Sequence, residues 1–179
     1  MRIQKLIVTL LLIPFCAGAQ PASQPKDRDH SVLDAFQVMC NLELPVFSHV
    51  DAKATAMHMH LQGDTSAPGT NGSVTRHKMW VGGLTTGPFA LLLDEMDGTK
   101  GVATSCAVAA QVPDVDGFRT ALIDGMKLPP ATPQTDQSGA RTSEWHGISG
   151  PGTTLILRSI IKGETSSVMV KMIAMRPQQ

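Results

Sequence analysis

The chain carries a faint copy of itself, and an internal repeat limits the possible folds more than any other feature of a sequence. Sliding the sequence along itself by about 65 residues lays "HVDAKATAMHMHL" (49–61) on "DVDGFRTALIDGM" (114–126). Val50–Asp51 then falls on Val115–Asp116, and Thr55–Ala56 on Thr120–Ala121. The same offset places Trp80 on Trp145 and Gly82 on Gly147. With a one-residue gap, "ALLLDEMDG" meets "TLILRSIIKG" and Cys40 meets Cys106. These matches recur in one order, so a tandem duplication is the better account of them than chance.

Each copy reads as strand, helix, strand, strand, with the first copy at about 33–96 and the second at about 100–161. Val115, Phe118, Leu122 and Met126 recur at helical spacing, between a start at Pro113–Asp114 and a stop at Pro129–Pro130. The counterpart helix is expected over 49–61, with Val50, Met57 and Leu61 facing inward. Strands are expected at 90–96, 101–112, 153–161 and 167–175, the last closing the sheet. Residues 63–76 and 129–141, rich in Gly, Pro, Ser and Thr, read as loops. The predicted fold is α+β: one antiparallel sheet with two helices packed on one face, in a pseudo-two-fold arrangement.

The N-terminus points to export. Arg2 and Lys5 precede the apolar run "LIVTLLLIPF" (6–15), and Ala17 and Ala19 stand where a signal peptidase reads. Residues 1–19 are therefore expected to be a signal peptide, 20–30 a polar flexible leader, and 31–179 a single domain. Cys16 lacks the small preceding residues of a lipidation site, because Pro14 and Phe15 stand there. No later segment is long and apolar enough to span a bilayer. Two cysteines survive cleavage. Cys40 and Cys106 occupy equivalent places in the two copies and are expected to pair in an oxidising compartment, periplasmic or extracellular.

Composition narrows the function classes. Of 15 basic side chains, Arg2 and Lys5 leave with the signal peptide, so 13 face 15 acidic ones. That balance provides no electrostatic footprint for nucleic acid. The chain has no Tyr and only two Trp, too few for a stacking platform. No G-x-S-x-G, Walker loop or G-x-G-x-x-G after a strand is present. Asp94 and Glu95 adjoin on an expected strand, where neighbours point to opposite faces, so they form no acid–base pair. Asp51 and Asp116 read as carboxylates near helix starts, and Trp80 and Trp145 as anchors between helix and sheet.

One stretch suggests metal chemistry. "MHMH" (57–60) alternates thioether and imidazole, both copper donors. On a helix the four side chains diverge, so a site needs recruits from "RHKMW", giving His58, Met59, His60, His77 and Met79 as candidate ligands. The leading expectation is an exported, soluble, non-catalytic binding protein without cofactor, engaging another protein. The alternative is a periplasmic copper- or metal-handling protein.

Overall fold

A computed structural model of the chain describes residues 25–42, 45–69, 73–84, 86–98, 101–162 and 165–177. The expected signal peptide and the first part of the leader lie outside these residues. Helix α1 (Pro25–Phe36) already begins within the 20–30 segment read as a leader. A π-helical turn over Gln37–Asn41 continues α1, and α2 (Phe47–Ala56) follows. Four strands come next: β1 (His60–Pro68), β2 (Val74–Leu84), β3 (Gly87–Gly98) and β4 (Gly101–Gln111). Helix α3 (Val115–Met126) leads to β5 (Gln134–Thr135), β6 (Arg141–His146), β7 (Thr153–Lys162) and β8 (Thr165–Arg176).

The eight strands of the described residues form one antiparallel sheet in the order β1-β2-β3-β4-β8-β7-β6-β5. The fold is α+β, as expected. Strand alternation separates the residues of the sheet into two sets. One set forms continuous cross-strand rows, such as Trp80–Leu91–Val108–Val170–Leu157 and Leu93–Cys106–Met172–Leu155–Trp145. These join Val32, Phe36, Val50, Phe118 and Leu122 of the helices in a single buried cluster. The helices therefore cover one face of the sheet.

Several expectations need correction. The 33–96 unit has no initial strand. Val32, Leu33, Phe36, Met39 and Cys40 are buried at helical spacing, and they form α1 and the π turn. Among the described residues there are thus three α-helices and one π turn on the sheet, where two helices were expected. Residues 63–76 are mostly β1 and the start of β2. Both sides of β1 meet solvent, so no apolar alternation marks it as a strand. The closing strand lies at the sheet's centre, because β8 inserts between β4 and β7.

The largest correction falls on 49–61, where α2 stops at Ala56. Met57 caps it, His58 takes the left-handed conformation at φ 53°, and Met59 N–H closes onto Ala54 O at 3.0 Å. Helix α3 ends in the same way: Lys127 is left-handed at φ 53° and Leu128 N–H reaches Ile123 O at 2.9 Å. In both helices the residue after the left-handed one packs on the core, as a Schellman ending favours. Met57, expected inside, is 53% exposed.

Candidate functional site

The second set of strand residues looks away from the helices, and among the described residues no element covers it. Its central row runs Met79–Leu92–Ala107–Lys171–Ile156–Glu144 across β2, β3, β4, β8, β7 and β6. On one side lies His77–Asp94–Ser105–Ile173–Thr154–His146, and on the other Val81–Ala90–Ala109–Met169–Arg158–Thr142. An antiparallel sheet with one face in water ordinarily alternates apolar-in with polar-out. Here the outward positions of the central strands are mostly Ala, Leu, Ile and Met. Beyond the Asp94 row, Met96 and Met175 flank Ala103 and are 53% and 54% exposed.

Alanine and serine on the outward side of β4 leave a shallow trough between β3 and β8. One recess of about 200 Å³ lies at Asp94, Met96, Ala103 and Ile173. A larger one of about 460 Å³ lies at Ala109, Arg158, Ile160 and Met169.

A polar cluster sits in the smaller recess. Asp94 Oδ1 lies 2.6 Å from His77 Nδ1, Ser105 Oγ donates to Asp94 Oδ2 at 2.8 Å, and Lys171 Nζ stands 3.5 Å from the same oxygen. One carboxylate thus links β2, β3, β4 and β8. Burial pushes the Asp94 carboxyl up. The bonds from His77 and Ser105, with the Lys171 charge, outweigh this and hold it below the ordinary carboxylate value. Ser105 gives its proton to Asp94 and none to His77, so a base–nucleophile pair is not built here. Glu95 points to the opposite face, toward Arg76 and Arg176, each at 3.6 Å. Asp94 and Glu95 are therefore separated, as the strand reading requires.

The five candidate metal ligands divide between different surroundings. His58 occupies the left-handed turn, and Met59 packs beside Phe89 over Gly82, where a Cβ would meet the Met59 methyl at 2.8 Å. His60, His77 and Met79 share the open face at successive positions of β1 and β2, and His77 is engaged by Asp94. Among the described residues, no three His, Cys, Asp or Glu side chains converge as a metal site would need.

Other readings resolve locally. Asp51 lies inside α2 and pairs with Lys78 at 2.8 Å, with Asp64 3.3 Å from the same ammonium. Hydrogen bonding to Asp51 raises Lys78 above the ordinary lysine value, against a lowering by burial, and Asp64 adds to the rise. At α3 the capping side chain is Asp114, accepting from Asp116 N–H at 3.0 Å, while Asp116 pairs with Arg141 at 2.9 Å. Trp80 and Trp145 are both buried, and Trp145 Nε1 donates to Pro129 O at 2.8 Å. The sulfurs of Cys40 and Cys106 stand 2.02 Å apart, at disulfide distance, joining the π turn to β4. They were expected on two strands. Cys40 is instead on a helical turn, so the pair is not symmetry-equivalent.

The open face was not foreseen in the sequence. Its signal was the near-continuous apolar character of "SCAVAA" and "VMVKMIAM", which marks strands buried on both sides. No described helix is long and apolar enough to cross a membrane. No protein-family model, curated protein sequence or solved structure matches the chain.

Proposed function

We propose that the protein is an exported, non-catalytic binding protein whose open sheet face receives another protein. The observation that carries this reading is the apolar outward composition of β3, β4 and β8, strands built as if buried on both sides but covered on one. Broad exposed apolar surface with scattered polar groups is characteristic of protein interfaces. The polar cluster at Asp94 is satisfied internally, so covering it strands no unpaired charge. Methionines at Met79, Met96, Met169 and Met175 add adaptable contact surface. The signal-like N-terminus and the Cys40–Cys106 pair support export to the periplasm or beyond.

A pull-down from the exported fraction of the native cells tests the reading. The wild-type chain should retain a specific partner that Leu92→Glu, folded by circular dichroism, loses. Retention of the same proteins by both forms counts against the open face. A metal-handling alternative rests on His60, His77 and Met79 sharing that face. A stoichiometric complex in copper titration, lost in His77→Ala, would favour it over protein binding.

The duplication reading fits a shifted frame, helix followed by four strands, over 47–111 and 115–176. In support, Thr55 Oγ1 bonds Asp51 O and Thr120 Oγ1 bonds Asp116 O, both at 2.9 Å and both one helical turn back. A chain carrying the 115–176 half twice should unfold cooperatively as an eight-stranded sheet. A non-cooperative chain speaks against it.

A further inference from the structure

A groove on the helix-covered side, at the end of the β2–β3 hairpin, is separate from the open face. It holds about 370 Å³ and is lined by Asp34 of α1, Val38 and Met39 of the π turn, Met57, Leu84 and Phe89. That volume is in the range of small-ligand sites, and the mainly apolar wall with few polar groups is their usual chemistry. Two of the apolar side chains are left open to water, Val38 at 44% and Met57 at 53%. The π turn presents Val38 there, and the Schellman ending of α2 presents Met57. Such π turns within helices are frequent at functional sites.

Among the described residues that line the groove, Asp34 alone is charged. Asp34 has no ion-pair or hydrogen-bond partner among the described residues. Lys53 donates to the carbonyl of Val38 at 3.4 Å but is not part of the lining. We infer that this groove binds a small amphiphilic cation, its apolar body on Val38, Met39, Met57, Leu84 and Phe89 and its ammonium at Asp34. An apolar body removes Val38 and Met57 from water, while the cation meets a carboxylate that has no other partner among the described residues. A fatty carboxylate of the same length would place like charges together.

Titration of the full chain with n-octylamine, n-octanol and octanoate, followed through the methionine methyl resonances, tests this. Octylamine should saturate shifts at Met39 and Met57 and leave Met79 and Met169 of the open face unmoved. It should bind about tenfold more tightly than octanoate, as one exposed attraction set against one exposed repulsion gives. Asp34→Asn, at an exposed helix position, should bring that ratio to about one without changing the affinity for octanol. Leu92→Glu should leave all three affinities unchanged, which separates this site from the protein-binding face. Equal binding of the three probes, tighter octanoate, an unchanged ratio in Asp34→Asn, or shifts confined to Met79 and Met169 would each overturn it.

Discussion

Leu91 and Leu92 are neighbours on β3, yet Leu91 is fully buried beneath the helices while Leu92 stands half-buried in the middle of the face that no described element covers. The same contrast holds along β4 and β8, where Val108 and Val170 point under the helices and Ala109 and Met169 point away. The composition of the two faces differs much less than their environments do. A sheet face meant for water gains solubility from Lys, Glu and Thr at outward positions. This one keeps alanine, leucine and methionine there, a choice that makes sense if the face spends part of its life covered.

The covered side depends on a tether that the open side lacks. Cys40 and Cys106 join the π turn to β4 and span 66 residues of chain. Closing a loop of that length stabilises the folded state by about 4 kcal/mol in the chain-entropy model. Exported protein should show no free thiol when denatured without reductant. Reduction should then lower its unfolding free energy in urea by about that amount, loosening the helices first. Two free thiols would mean that packing alone holds the helical layer.

Truncation within the covered face comes next in size. Leu91→Ala removes buried methyl groups where the helices prevent collapse, and should cost about 2–5 kcal/mol in equilibrium denaturation. A loss under about 1 kcal/mol would place Leu91 in a site able to relax, contrary to its complete burial.

The polar cluster on the open face should contribute less. The Asp94 side chain is 38% exposed, so screening discounts its ion pairs, and Asp94→Asn should cost about 1 kcal/mol at neutral pH. Its carboxyl is held below the ordinary value in the folded chain, so its charge stabilises above the unfolded value of roughly 3.9. That contribution disappears as the pH falls through the lower folded value. The stability gap between wild type and Asp94→Asn should accordingly close below about pH 4. A gap that persists in acid would show that the loss is one of shape rather than charge.

How much of this was legible in the sequence depends on which surfaces each segment meets. Strands β3, β4, β7 and β8 were readable because their inner residues are strongly apolar, and α3 because Asp114 and the prolines bracket a helical period. Strand β1 was hidden because its polar residues meet water on both sides. Helix α1 was hidden although its apolar spacing is helical, because the repeat reading pulled that region toward a strand. "MHMH" misled for a related reason: His58 adopts a left-handed turn usually given to glycine, so nothing in its letters announced the helix end. The Asp94 cluster joins residues separated by 17 and 11 positions through strand register alone. Which side of a two-sided apolar strand the helices would take is a tertiary choice, and no periodicity within the strand records it.

The smallest expected effect is also the sharpest test of the comparison. Leu92→Ala removes the same atoms as Leu91→Ala, one residue away, from the face that no described element covers. Because Leu92 keeps part of its surface in water, the truncation should cost less than about 1 kcal/mol in the free protein. The contrast between these two adjacent leucines isolates the covering layer, since strand, residue type and backbone hydrogen bonding are all held constant. The measurement is urea denaturation of both variants at several protein concentrations. If Leu92→Ala proves as costly as Leu91→Ala at every concentration, another part of the chain covers the open face and the binding proposal loses its surface. If the cost grows with concentration, two copies bury the face against each other. A small, concentration-independent cost leaves the face uncovered in the free protein and open to a partner.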